Sequence, residues 1–481
     1  MKRKIALLLA CVMMTSVFAA CGNKDGEENG EVPTLTWFLP LSVPSDEKLV
    51  EAEINKYLEP KLGAKLDLVF VDAGAYNEKM NMLMASQTEF DLAFSGWVNK
   101  FDRGVSQKGF LCLDEYLEKY PELKAAAPDY AWEAVKASDG KIYAFPNQQT
   151  YARTPATFIT KKYVDKYNFD ISKVKTIRDL EPLMEKIRDN EPDVYFWNPK
   201  VTEITPMLNE TTTVMPGVFG FVTKRDDPEC KVFYLYETPE YRAGTELVRE
   251  YYNRGFIRKD AASAAGTQTS SKETAITQGS WKPGHEADSI ATKRGEVVSI
   301  RWAEPCVTTE LIRQTLTAIS TTSKHPDKAA QLLALVNTDK ELFRLMVHGI
   351  EGKHYEVLES GHIRVLDSQG YGSMHTAGWY LGNQFNSYVT EGKDLDIWDQ
   401  MREFNESAIK STTLGFNFDS TPVTNEISNI STVNSEYSGL GNGSLDPAAK
   451  YDEALPRLKE AGADKIKAEM QRQLDEWLAN K

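Results

Sequence analysis

Histidine and cysteine are scarce in this chain, six and five among 481 residues. The cysteines form no CxxC pair and the histidines no HExxH or HxxxH, so nothing in the spacing calls for a metal or other cofactor. The phosphate loop GxxxxGK[ST] is absent, so nucleotide hydrolysis by the chain itself is not expected. GxSxG is absent too. The stretch "SAIK" (407 to 410) fits SxxK, but neither SDN nor KTG accompanies it, and a helix repeat explains it. "GLGNGS" (439 to 444) has no strand-to-helix frame and no lysine after it, and reads as a surface turn. Basic residues are the minority, 56 against 70 acids, for a net charge of -14. That balance argues against nucleic acid, whose phosphates such a body repels. A glycoside hydrolase needs two carboxylates facing each other across a cleft. The acids supply candidates, but spacing singles out no pair and therefore no catalytic residue.

Long apolar runs are missing as well, with one exception. Lys2, Arg3 and Lys4 precede an uncharged, mainly apolar run from Ile5 to Ala20. This is shorter than the roughly 20 residues a spanning helix wants, and it reads as a secretory signal. Its end, "FAAC", resembles the lipobox of bacterial lipoproteins, with Phe18 where leucine is usual. The resemblance implies a signal peptide over 1–20 that is cut before Cys21, and a lipid on that cysteine. Residues 21–31 then form a leash, since "GNKDGEENGEVP" has almost nothing to bury. The body would sit outside the membrane, tied to it by the lipid. Cys112, Cys230 and Cys306 remain in the body and read as buried thiols.

What is present is an alternation of strand and helix. "TLTWFLP" is strand-like, and "SDEKLVEAEINKYLEPKLG" follows with Ser45 as N-cap and Val50, Ile54, Tyr57 and Leu58 on one face. "AKLDLVFVDA", "AYNEKMNMLMASQ" and "FDLAFSGW" complete a β-α-β-α-β order, which means a parallel sheet with helices on its faces. Ligands of such sheets bind beyond the carboxyl ends of the strands, here 38–42, 72–76 and 95–97. "DGKIYAFPNQQT" (139 to 150) reads as a crossing into a second lobe. Further on, Pro182 places a helix start at Asp179. Thr338 with Glu341 suggests a capping box closed by Gly349, and Asp446 with Pro447 opens a helical tail broken at Gly462. The body has room for two or three domains, and no second linker separates them.

Aromatic residues among turn-formers stand out. Trp97 lies in "SGWVNK", Trp281 in "TQGSWKPG", Trp379 in "TAGWYLGNQ", and Trp37 near a strand end. A tryptophan on a helix face, such as Trp477, is core. One flanked by Gly, Ser or Pro has no helix face to bury it. Sugar rings offer flat CH faces to such side chains, while Asn, Gln, Asp and Arg bond their hydroxyls. Satellite packing is the competing explanation for each of them.

The chain resembles the extracellular solute-binding lipoproteins of bacterial ABC importers, carbohydrate-type (family 1), in their LplA-like subgroup. The stretches that carry the likeness are "DGKIYAFP", "VDKYNFD…TIRDLEPLMEKIRDNEP" and "AISTTSKHPDKAAQLLALVNTDKELFRLMVHGIEGKHYEV". "GWYLGNQF…FNESAIKSTTLGFNFDSTPVTNEI" and "RLKEAGADKIKAEMQRQLDEW" complete them, the last similar to the subgroup's C-terminal module. The resemblance implies an α/β fold of the type II periplasmic-binding kind, two lobes with a central ligand cleft and hinge strands. Lobe one would be 32–147 plus 308–370, and lobe two 148–307 plus 371–481. It implies a monomer that binds a small solute, a carbohydrate and in view of the aromatics an oligosaccharide. The closed form would dock on the transmembrane subunits of an ABC permease.

By that resemblance Trp281 is the foremost ligand-binding candidate. Ser95, Gly96 and Trp97 fall on the lobe-one loop, with Tyr76, Trp37, Asn147 and Gln148 nearby. Trp379 and Asn383 belong to the subgroup signature, and Arg301 and Trp302 precede the second crossing; each serves either binding or packing. Two other functions compete. A non-sugar solute, such as a peptide or charged metabolite, would suit a cleft lined by Arg and Asp with the tryptophans buried elsewhere. A surface-anchored hydrolase would show two facing carboxyls.

Overall fold

The computed structural model describes residues 32–192, 194, 201, 210–214, 220–260, 274–291, 294–366 and 370–481. The stretches read above as signal peptide and leash, with Cys21, lie outside the described residues.

The chain opens with strand β1 (Thr34–Leu39), helix α1 (Glu47–Leu62), strand β2 (Lys65–Phe70), helix α2 (Ala73–Ala85) and strand β3 (Leu92–Gly96). As the periodicity predicts, Val50, Ile54 and Leu58 are buried on α1. Tyr57 instead turns its hydroxyl to Asp339 and Glu341, each at 3.0 Å. The residue before α1 is Asp46 rather than Ser45, whose hydroxyl reaches Gly370 O. After four short helices comes β4 (Phe145–Pro146), and the chain then crosses to a second body. There β5 (Thr154–Thr160), β6 (Ile276–Trp281) and β7 (Val297–Arg301) make an antiparallel sheet in the order β7-β5-β6, with helix α3 (His285–Ala291) between the last two in sequence. Also in this body, Ile177–Leu180 is a 3-10 turn closed by a capping box from Thr176 and Asp179. The α-helix starts only at Glu181, with Pro182 in its first turn.

The chain returns through β8 (Cys306–Val307) to β9 (Thr315–Ile319). The first sheet has the order β2-β1-β3-β9-β4. The returning strand β9 is inserted antiparallel to β3, while β1 runs parallel to both β2 and β3. This is the type II arrangement. Helices α4 (Pro326–Thr338), α5 (Lys340–His348), α6 (Gly378–Leu381) and α7 (Ile397–Ser407) follow. The cap of α5 is Asp339, which accepts from Glu341 N and Leu342 N. Thr338 is the last residue of α4 and bonds back to Ala334 O at 2.8 Å. Strand β10 (Ile409–Lys410) makes the third crossing, and α8 (Thr424–Glu436), α9 (Pro447–Glu460) and α10 (Ala463–Ala479) finish the chain. Asp446 caps α9 by accepting from Ala448 N. "GLGNGS" is a short helical turn, with Gly439 and Leu440 buried.

Two large hydrophobic cores divide the molecule. The first draws on residues between Leu35 and Ala152 and between Val307 and Leu414. The second draws on Ile159 to Ile276 and Phe416 to Leu474. The return to lobe two therefore falls near residue 415 rather than 371. Tyr371, Met374, Ala377, Tyr380 and Leu381 bury their side chains in the first core, so 371–414 packs with lobe one. The three crossings form one ribbon. Arg153 and Cys306 exchange both backbone hydrogen bonds, at 3.1 and 3.0 Å. Ile409 N and Ser411 N bond Pro305 O and Val307 O, at 2.9 and 3.0 Å. Cys112, Cys230 and Cys306 are free thiols, the last two buried.

Candidate functional site

On lobe one the site begins where β3 ends. A Cβ on Gly96 would lie 1.9 Å from the carbonyl oxygen of Gln314, so only glycine lets the backbones approach. Gly96 N donates to Asn99 Oδ1 at 3.0 Å, and Trp97 N to Gln314 O at 3.0 Å. The turn so fixed leaves Trp97 52% exposed. The Trp97 side chain lies near the Tyr380 hydroxyl and partly offsets the effect of burial on it. Tyr380 stacks on Trp379 with centroids 3.6 Å apart, and Phe94 meets Trp379 edge-on at 6.3 Å. Burial pushes the Tyr380 phenol up to about 12, so it stays neutral. Behind this wall Asn147 is a bracket: its Nδ2 donates to Trp379 O and Tyr380 O at 3.1 and 3.0 Å, and Thr317 Oγ1 donates to its Oδ1 at 2.9 Å.

On lobe two Trp281 is the last residue of β6, partly buried. Its indole N–H donates to Glu286 Oε1 at 3.0 Å, and Ser299 Oγ donates to the same oxygen at 2.5 Å. Burial alone would raise the Glu286 carboxyl, but these hydrogen bonds hold it below its usual value. The Arg301 guanidinium lies 4.5 Å from the Trp281 ring centroid, and Phe404 of α7 meets the ring edge-on at 5.5 Å. Helix α7 lies in the segment associated with lobe one, so this last contact joins the two lobes. Trp302 donates its N–H to Thr157 Oγ1 at 2.8 Å and packs against the second core.

Several residues read as site candidates are framework instead. Trp37 lies within β1 rather than at its end, and Tyr76 is on α2; both are 0% exposed. The Tyr76 hydroxyl is shared between Phe38 O and Phe94 O, at 3.0 and 2.8 Å, and ties β1 to β3. Ser95 and Gln148 are buried too. The Gln148 amide holds Pro146 O and the Tyr151 hydroxyl, at 2.7 and 2.8 Å. Asn383 caps the turn Gln384–Asn386. A fully buried ring offers no face to a solute, so these residues position the wall rather than form it. The structure brings Trp97 and Trp379 together on one lobe and sets Trp281 beside Arg301 on the other.

Tyr380, Phe404, Arg153, Lys282 and Asn405 were missed by sequence reasoning. Only the "WY" doublet hinted at Tyr380, and nothing local marks the others. Asn405 is buried on α7 and grips the first crossing. Tyr151 N and Ala152 N donate to its Oδ1 at 2.8 and 2.9 Å, and its Nδ2 donates to Gln149 O at 2.8 Å. Lys410, the lysine of "SAIK", donates to the carbonyls of Asn405, Glu406 and Ala408 that end α7.

One group among the described residues has metal-like spacing, Glu47, Glu51 and Asp67. Lys48 Nζ already pairs with all three, at 3.2, 3.1 and 3.1 Å, so the group is an ion-pair cluster. His348 is buried with its ring nitrogens engaged by His375 and Ser387, at 2.8 and 2.7 Å. Burial holds it well below its ordinary pKa, as a neutral core residue. No helix among the described residues is long and apolar enough to cross a membrane.

Two α/β lobes joined by three crossings are the architecture of the periplasmic-binding fold of solute-binding proteins. A family described as a domain of unknown function, DUF3502, matches residues 412–479, the module that follows the third crossing. A carbohydrate ABC transporter substrate-binding protein of Streptococcus pneumoniae is 30% identical, over 100% of this chain and 99% of its own length. The crystal structure of the N-glycan transport solute-binding protein NgtS from Streptococcus pneumoniae is similar at a TM-score of 0.84 and 26% identity, covering 93% of this chain and 99% of that one. NgtS in complex with Man1GlcNAc matches at 0.75, with 26% identity over 93% of this chain and 100% of that one. The chain belongs to the carbohydrate ABC transporter substrate-binding proteins.

Proposed function

We propose that this chain captures an oligosaccharide between its lobes, closes on it by bending at the three-strand ribbon, and presents it unaltered to an ABC permease. The observation that carries the reading is the pair of aromatic walls. Trp97 with Trp379 on lobe one, backed by the buried Tyr380, and Trp281 under Arg301 on lobe two, offer the flat apolar faces that sugar rings stack on. NgtS supports both the ligand class and the movement. Its complexes carry glycans, and they resemble this chain less, at 0.75 and 0.71, than the NgtS structure described without one, at 0.84. One sequence that superposes differently across its own structures has more than one arrangement of its parts.

The anchored monomer is part of the same proposal: a signal peptide over 1–20 and a lipid on Cys21 would hold the receptor at the outer face of the membrane beside its importer. Mass spectrometry of the protein from its native membrane tests this, since an unmodified Cys21 in the mature chain rules the anchor out.

A thermal-shift panel of glycans, peptides and amino acids tests the ligand class. A true ligand at 100 times its dissociation constant adds roughly 2.7 kcal/mol of stability. Trp281→Ala is expected to weaken glycan binding by about 2 kcal/mol or more, some thirtyfold, with little change in the unliganded midpoint. Stabilisation by peptides alone would replace the carbohydrate reading, and turnover of a bound glycan would make the protein a hydrolase.

A further inference from the structure

The lobe-two wall is rich in cations for a protein with net charge -14. The register of β5 with β6 sets Thr154 opposite Trp281, so Arg153 and Lys282 continue the pair at the edge of the sheet. The Arg153 guanidinium donates only to the carbonyls of Thr150 and Ala152, on its own crossing. Among the described residues no carboxylate pairs with it. Lys282 has Asp288 Oδ2 at 3.9 Å, and it shares that carboxylate with Lys393, which lies 2.6 Å from Oδ1. Arg301 rests on the Trp281 ring, and Glu286 is occupied by Trp281 and Ser299. Four cations therefore meet two engaged carboxylates where the ribbon, lobe two and the Lys393 segment converge. Half-burying cations without matching carboxylates costs free energy, and an arrangement that keeps them is explained by an anionic partner that arrives from outside.

We propose that the saccharide this receptor takes is anionic, and that Arg153 and Lys282 pair with its charged group while Trp281 stacks on a sugar ring beside it. A guanidinium reads a planar carboxylate or a sulfate ester through parallel hydrogen bonds, and an ammonium adds a point charge. The proposal rests on the glycan-receptor reading above and narrows it to acidic glycans.

The test is isothermal titration of the purified protein at low salt with matched pairs of probes. A sialylated biantennary N-glycan is set against its desialylated form, and tetragalacturonate against its carboxyl-reduced form. A sulfated tetrasaccharide against its desulfated form separates sulfate from carboxylate. At least one acidic member is expected to bind ten times more tightly than its neutral partner, with the advantage shrinking in 0.5 M salt. Arg153→Gln and Lys282→Gln should each lower that acid-to-neutral ratio at least tenfold. Should Arg153→Gln fail to fold, Lys282→Gln decides alone. Neutral members that bind as well as acidic ones, or a ratio that survives both substitutions, overturn the proposal and leave the receptor reading standing. No binding by any glycan removes both.

Discussion

Trp281 is held from three sides, by Glu286 at its N–H, Arg301 over its ring and Phe404 at its edge. In the proposed role a ring so fixed would lose little freedom on stacking against a sugar, and its removal should therefore cost binding more than folding. Lys282 gives the opposite case, a residue that costs stability. Burial, with Arg153 and Lys393 adding to it and Asp288 opposing, lowers its pKa from 10.5 to about 8. Its side chain keeps 31% of its surface, which limits the penalty through solvent screening. Below about pH 8 both folded and unfolded chains carry the proton and the penalty is present in full. Between about 8 and 10.5 the folded chain has released a proton that the unfolded chain still holds, so stability rises with pH. Lys282→Met is therefore expected to raise the melting point at pH 7, and the gap to the unsubstituted protein should narrow as pH climbs through that window. A gap that does not change with pH would show that Lys282 is not strained. Gly96→Ala should destabilise by about 1 to 3 kcal/mol, because its Cβ meets the Gln314 carbonyl. A melting curve checks it, and an unchanged midpoint would mean that this backbone approach is not as tight as the 1.9 Å contact requires. Such single-residue reasons were partly legible in the sequence. Glycine and serine beside Trp97 marked a ring with no helix face to bury it, whereas the fates of Trp37 and Tyr76 depended on how strands and helices pack together in the first core.

At the scale of elements, the ribbon of three crossings is the part on which lobe movement depends. Asn405 satisfies three backbone groups of the first crossing from helix α7, so it fixes how lobe one grips the ribbon. Asn405→Ala leaves all three unpaired in a buried place and should cost about 3 kcal/mol, read as a fall in the denaturation midpoint. A loss below 0.5 kcal/mol would show that the crossing does not rely on α7. The alternation of strand and helix through β3 could be read directly, because each element has its own periodicity and turn residues. The division of the chain could not. Residues 371–414 lack a sustained pattern, and their allegiance to lobe one rests on Met374, Tyr380 and Leu381 packing on helices and strands that come earlier. The C-terminal module, by contrast, inserts Ile430, Tyr451, Leu458, Met470 and Leu474 into the second core. It completes lobe two, as helical periodicity alone could suggest but not locate.

For the whole molecule, the two cores are joined by the ribbon and by side-chain contacts such as Phe404 on Trp281 and Lys393 on Asp288. Interfaces of this kind leave relative motion of the lobes as the default expectation. A ligand shifts that equilibrium only by its extra affinity for one arrangement, and a solute gripped by both walls has most to gain from the closed one. Small-angle X-ray scattering of the purified protein, with and without a saturating glycan from the titration panel, measures this directly. Lobe closure predicts a smaller radius of gyration with the glycan bound, a weaker contraction in Trp281→Ala at the same glycan concentration, and recovery of the glycan unchanged. A bound glycan that leaves the scattering curve as it was would contradict capture by lobe closure.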